Sequence, residues 1–160
     1  MNLILQHENE AGIGATPGAL LRYCFNCELN TIIPADLEAM EEVTAGVSEL
    51  LTSKQWPRTD VMKVDLAVRE ALANAIRHGC GNDPGKQVQC GITLDAGGEV
   101  SIVVRDPGPG FDPAKVPDPL EAGNMSSGSG RGVFLINELM DSVEFTDGGR
   151  QVLMRKRPGK

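Results

Sequence analysis

Two side chains one helical turn apart, Glu70 and Asn74, open the stretch Glu70-Ala-Leu-Ala-Asn74-Ala-Ile-Arg77-His78-Gly79 and supply complementary chemistry. A carboxylate close to a reacting centre can take the proton of an attacking hydroxyl or water. A neutral amide oxygen can join phosphate oxygens and water around magnesium, which favours octahedral oxygen coordination. Two glycine-rich runs follow, Asp106-Pro-Gly108-Pro-Gly110 and Gly128-Ser-Gly130-Arg-Gly132. An ionised aspartate only accepts hydrogen bonds, so Asp106 suits the exocyclic amine of adenine. Gly108 and Gly110 let backbone approach a flat ring with no β-carbon in the way. The second run precedes the apolar Val133-Phe-Leu-Ile and opens a helix whose N–H groups and dipole favour phosphate. It lacks the Gly-Lys-Ser/Thr of a Walker loop, and no strand directly precedes it as in a dinucleotide fold. Together these groups suit binding of a nucleoside triphosphate and transfer of its terminal phosphate.

Each piece also has an ordinary reading. Glu70 could pair with Arg69, Arg77 or solvent, as most helical glutamates do, and Asn74 could bond to nearby backbone. His78 could touch a phosphate, but a histidine in a last helical turn also stabilises the C-terminal dipole, which is the favoured role. Asp106 and its glycines could form a simple turn, and the second glycine run a hinge.

The elements that must position these groups follow from periodicity and punctuation. Residues 8–19 are rich in glycine and polar groups and read as a loose arm; segment 1–19 is set apart from a single domain over 20–160. A strand is expected over Leu20–Asn30. Pro34 stands where a helix would begin, and Leu37, Met40, Val43, Val47, Leu50 and Leu51 recur at helical spacing to about Lys54. Pro57 breaks the chain, and Thr59 or Asp60 can cap a second helix over about Val61–Arg77. Its apolar stripe is Val61, Val64, Val68, Ala71 or Leu72, and Ala75, leaving Glu70, Asn74, Arg77 and His78 on another face. Gly79 ends it. A hairpin over Gln87–Leu94 and Glu99–Arg105, a long loop over 107–129, a helix over about Gly132–Met140 and a last hairpin (Ser142–Phe145, Gln151–Lys156) complete the order. This order predicts an α+β two-layer sandwich, with helices on one face of a mixed, mostly antiparallel sheet.

The 160 residues are enough for one core and too few for two comfortable domains. A net charge of −7 disfavours long-range attraction to nucleic acid or anionic membrane. Arg155, Lys156 and Arg157 read as a short solvated tail. No run approaches the ~20 apolar residues of a membrane span, and no basic region precedes the apolar N-terminal patch, so cytoplasmic residence is expected. Cys24 and Cys27 have C-x-x-C spacing, but neither Cys80 nor Cys90 supplies a second tight pair, so buried or incidental thiols are favoured over a metal or redox site.

The set Glu70/Asn74, Asp106-x-Gly108-x-Gly110 and Gly128-x-Gly130-x-Gly132 resembles the N, G1 and G2 boxes of the GHKL superfamily, the histidine kinase-like or Bergerat ATPases, over about residues 34–157. Small size, a short lid, and Gly132-Val-Phe-Leu-Ile with Met140-Asp141-x-Val143-Glu144 resemble most the anti-sigma-factor serine kinases of the RsbW/SpoIIAB type. The resemblance implies the Bergerat fold, ATP and Mg2+, with Glu70 as general base on a serine or threonine and Asn74 as magnesium ligand. It further implies Asp106 on the adenine amine, Gly108 and Gly110 shaping that pocket, and Gly128, Gly130, Gly132 and the Arg131 amide on the phosphates. Arg77 and Arg131 are both candidates for stabilising transferred charge. The implied partners are a sigma factor and a STAS-type anti-sigma factor antagonist, with a homodimer and no direct contact to nucleic acid or membrane. Two other functions share the motifs: the catalytic ATP-binding domain of a two-component histidine kinase, and a non-catalytic nucleotide-regulated binding module. Against the first, the histidines are His7, in the arm, and His78, in the second helix, and neither lies in a dimerisation hairpin. The chain departs from the family at the last strand, where a threonine that supports the adenine-binding aspartate is common and Gly149-Arg150-Gln151 stands instead.

Overall fold

Proline, charge and alternation divide the chain into short strands and helices. A computed structural model describes residues 2–4, 27–116 and 130–159, with side chains for 30–116 and 130–159. In chain order the elements are β1 (Asn2–Ile4), β2 (Cys27–Pro34), α1 (Leu37–Ser53), α2 (Arg58–Asn74), a π-helical turn (Ala75–Gly79), β3 (Gln87–Leu94), β4 (Val100–Arg105), α3 (Arg131–Leu139), β5 (Ser142–Thr146) and β6 (Gln151–Lys156). One six-stranded sheet runs in the order β1-β2-β3-β4-β6-β5, and every neighbouring pair is antiparallel. The α+β two-layer expectation holds.

Period-two patterning sets which sheet face is covered. Ile33 of β2, Val88, Cys90, Ile92 and Leu94 of β3, Val100, Ile102 and Val104 of β4, and Val152 and Met154 of β6 are buried. Against them pack Met40, Val43, Val47, Leu50 and Leu51 of α1 and Val64, Ala67, Val68, Ala71 and Leu72 of α2. Fully burying a leucine- or valine-sized side chain is worth about 1.5–3 kcal/mol. The ion pairs on the α1–α2 flank contribute far less: Arg69 joins Asp65 of its own helix at 2.8 Å and reaches Glu41 of α1, all on a partly exposed flank.

Several boundaries differ from the sequence expectations. The strand expected over 20–30 is seen from Cys27 and runs on to Pro34, which closes β2 instead of opening a helix. Asp36 caps α1, accepting from the Ala39 N–H at 2.8 Å. Neither Thr59 nor Asp60 caps α2; Pro57 occupies the cap position, pre-set in φ. Asp60 is buried and accepts from the Gly159 N–H at 2.7 Å, tying the C-terminal segment to α2. The tail reading of the basic cluster is also corrected. Lys156 is buried with Nζ 3.0 Å from Asp141 Oδ1, and Arg157 reaches Glu99 at 2.8 Å. Strand alternation carries Lys156 to the helix-covered face, where Asp141 supplies its counter-charge. At the other terminus Asn2–Ile4 pairs with Asn30–Ile32 as an added edge strand. The arm over 8–19 and the lid beyond Val116 lie outside the described residues. Among the described residues, no helix is long and apolar enough to cross a membrane.

Leu72→Ala leaves a void in the core at a fully buried position and should lower unfolding free energy by about 2–5 kcal/mol. Glu41→Ala, which breaks an exposed pair, should cost about 1 kcal/mol or less. Urea denaturation of both variants checks the order; equal losses would show that the ion-pair flank, not the core, anchors α2.

Candidate functional site

The buried stripe of α2 fixes its rotation, so Glu70 and Asn74, one turn apart, emerge half-buried along its border. Gly132, in the first turn of α3, lies directly on them. A β-carbon placed there would sit 2.9 Å from Glu70 Oε2 and 3.0 Å from Asn74 Nδ2. Gly130 makes this approach possible by turning the chain into α3 in the left-handed region, φ +84°. The first intrahelical bond runs from Phe134 N–H to Gly130 O at 3.0 Å. The amides of Arg131, Gly132 and Val133 precede that bond and are the N–H groups a helix start leaves without an intrahelical partner. The structure thus joins Glu70, Asn74 and Gly132, with Gly130 as their hinge. Arg131 is exposed at the same helix start. Gly128 lies outside the described residues.

The far end of α2 does not continue as a regular helix. Cys80 N–H donates to Ala75 O at 2.8 Å, a five-residue reach that widens the last turn into a π-helix. The sequence expectation of a uniform helix to Arg77 is corrected here. The shared face holds for Glu70 and Asn74 but does not extend by simple 3.6-residue spacing to Arg77 and His78, which stand exposed on the widened turn.

That turn delivers Gly79 to Asp106. A β-carbon on Gly79 would fall 2.1 Å from Asp106 Cγ, so only glycine lets the carboxylate lie against the helix end. Gly108 closes the same corner: its β-carbon would sit 2.4 Å from Gly79 O, and its N–H donates to Asp106 Oδ1 at 2.8 Å. Burial pushes the Asp106 carboxyl above its ordinary range, opposed by the Gly108 N–H and the positive charge of Arg150. Gly110, at φ +75°, continues onto the β5–β6 turn, where a β-carbon would meet Gly148 O at 2.1 Å. Phe111 N–H donates to that same oxygen at 3.0 Å.

Sequence reasoning did not find the partners of these motifs. Gly79 was legible only as a helix terminator, and Gly148 and Gly149 only as a hairpin turn. Their second role, receiving another segment's backbone or carboxylate, depends on contacts far apart in the chain. Cys80, beside Asp106, is buried, and burial together with the aspartate's charge pushes its thiol up. Cys90 is pushed up to about 12 by burial alone. Among the described residues, no cluster of three or more histidine, cysteine or carboxylate side chains could hold a metal. The amide oxygen of Asn74 beside the Glu70 carboxylate suits instead a magnesium ion held mostly by phosphate oxygens and water.

Residues 33–156 match the model of the histidine kinase-like ATPase domain family. The chain is 30% identical over 122 residues to an anti-sigma F factor of Oceanobacillus iheyensis, covering 72% of this chain and 82% of that protein. It also superposes on a crystal structure of the RsbU and RsbW domains of Rv1364c from Mycobacterium tuberculosis, with a TM-score of 0.58 and 18% identity. That superposition covers 84% of this chain and 33% of the solved one, so the present chain spans about a third of it, and the likeness is one of fold.

The raised Asp106 carboxyl carries a stability sign. The folded state binds this proton more readily than the unfolded chain, so ionised Asp106 costs stability above its folded-state pKa. Asp106→Asn should therefore raise Tm at pH 7, and the gain should disappear as pH falls through that pKa and the wild-type carboxyl becomes neutral. Thermal denaturation over a pH series from 7 down to 3 checks this; a lower Tm for the variant at pH 7 would mean that the charge stabilises the fold.

Proposed function

Because the chain belongs to the histidine kinase-like ATPase family, we propose that it is an ATP-dependent serine/threonine kinase of the anti-sigma-factor type. In this reading it phosphorylates an anti-sigma factor antagonist and sequesters a sigma factor. The observation that carries the chemistry is the contact of Gly132 with both Glu70 and Asn74. It brings the Glu70 carboxylate, the Asn74 amide and a helix start to one place, which supports reading them as base, magnesium ligand and phosphate site. The similarity to an anti-sigma F factor supports the partner class.

Adenine would lie in the Asp106 corner, its amine donating to the carboxylate while Gly79, Gly108 and Gly110 keep the walls flat. The triphosphate would run toward α3, where the N–H groups of Gly130, Arg131 and Gly132 meet it. Asn74 would hold Mg2+ by its amide oxygen, and the ion would supply charge neutralisation on the phosphate oxygens. Glu70 takes the proton of the incoming serine or threonine hydroxyl as its oxygen bonds to the γ-phosphorus. The bond from that phosphorus to the β,γ-bridging oxygen breaks, and ADP leaves with the electron pair. Arg131, at the start of α3, and Arg77, on the widened turn beside His78, are both exposed and are the two candidate cations for the transferred charge.

Calorimetric titration should show magnesium-dependent ATP binding, and Glu70→Gln should retain it. Loss of a general base should slow phosphate transfer by ~10²–10⁴-fold. Undiminished transfer by this variant would reassign the base, and wild-type indifference to ATP and ADP alike would sink the whole nucleotide reading.

Partner choice is tested separately. Affinity capture with ATP present should recover a sigma factor, and with ADP present an antagonist. Recovery of a response-regulator system would favour a histidine-kinase catalytic domain, and one partner regardless of nucleotide a non-catalytic module.

A further inference from the structure

The β5–β6 turn carries an ion cluster that the proposed chemistry does not use. Asp147 sits at φ +51°, an uncommon conformation that aspartate tolerates better than most residues. Its Oδ1 accepts from an Arg150 guanidinium nitrogen at 2.6 Å and its Oδ2 from Arg105 at 2.8 Å. Its backbone carbonyl accepts from Arg150 Nε at 3.0 Å. One carboxylate therefore gathers two arginines whose backbones flank Asp106. Arg105 is its chain neighbour, and Arg150 O accepts from the Asp106 N–H at 3.0 Å. The stem of Arg150 also lies along the glycine loop, with its Cγ 3.1 Å from where a Gly110 β-carbon would be.

We infer that Arg150 is a positioning residue for the base pocket, placing Asp106 and the Gly108–Gly110 loop, and that Asp147 holds Arg150 in that role. The inference rests on the nucleotide reading above. From the end of the β5–β6 turn Arg150 takes the Asp106 N–H at its main-chain carbonyl, covers the loop with its stem, and keeps a positive charge beside a carboxylate that burial would otherwise tend to protonate. The groups facing Asp106 are Arg150 from that turn and the Cys80 thiol from the segment after α2. Burial and the negative charge of Asp106 push that thiol up, so it stays neutral through the acid range. Asp147 is held below the usual carboxylate range, first by its bond to Arg150, so it remains ionised where Asp106 titrates. The phosphate of ADP itself titrates in this window but does so alike against every variant, so the shift of the acid limb between variants, not its position, reports Asp106.

The test is ADP affinity measured by calorimetry between pH 4 and pH 8 for wild type, Arg150→Met, Arg150→Lys and Asp147→Asn, with thermal melts as the folding control. Arg150→Met keeps an aliphatic stem but removes the charge. It should weaken ADP about tenfold, in the range of coupled neighbours, and move the acid limb to higher pH. Arg150→Lys should keep the limb near wild type. Asp147→Asn should weaken ADP less than Arg150→Met, and adding it to Arg150→Met should bring little further loss. Unchanged affinity in Arg150→Met, or an equal limb shift in Arg150→Met and Arg150→Lys, overturns the inference. If Arg150→Met unfolds, the limb and affinity of Asp147→Asn decide alone, and wild-type values there overturn it. Failure of wild type to bind ADP is a different result, which removes the nucleotide reading itself.

Discussion

Close backbone approach at Asp106 is the constraint on which the base corner depends. A carboxylate is driven against the end of a helix where no β-carbon fits, and the next loop folds over the same point. The widened last turn of α2 follows from this need. A regular turn would advance and rotate Gly79 by a fixed step, whereas one π-helical turn resets the phase so that the glycine faces β4. The conflict between burying α2's apolar stripe and presenting Gly79 to Asp106 is resolved locally, over five residues.

Burial of that aspartate has an energetic direction as well as a geometric one. Removing a carboxylate from water favours its neutral form, and the Asp106 carboxyl is pushed up accordingly. The same desolvation strengthens any hydrogen bond it makes to a ligand. Such burial costs fold stability, a pattern expected where function rather than packing sets the residue. Asp141 shows the contrast: also a carboxylate, it is pulled below its ordinary range chiefly by the Arg157 N–H and takes the ammonium of Lys156, so it serves the fold.

What was legible in the sequence follows the range of the forces involved. Alternation in Gln87–Leu94 and Gln151–Lys156 set those strands to the residue, because period two is a local signal. Helical spacing placed α1, α2 and α3 within a few residues, and Glu70 with Asn74 on one face. The ends of elements were less legible. Pro34 suits a helix start or a strand end equally well, and strand pairing with Gln87 decided it. The π-helical turn, the burial of Lys156 and the inward turn of Asp60 all depend on partners 15 or more residues away. No local pattern encodes them. The glycine motifs were visible as motifs, but their mates Gly79, Gly148 and Gly149 were not.

The two ends of the site are built with different stiffness. At the base end, added β-carbons would strike backbone: Gly108 on Gly79, Gly110 on the Gly148 carbonyl, Gly149 on the Phe111 carbonyl. Backbone can yield only if whole elements move, so this corner keeps one geometry. At the α3 end, Gly132 meets the tips of Glu70 and Asn74, which can rotate away at little cost. A ligand gripped first at the rigid end would then find groups at the other end still free to adjust. Sequence differences near Gly132 should on this ground affect transfer, and differences near Gly108 and Gly110 should affect the fold and ring binding together.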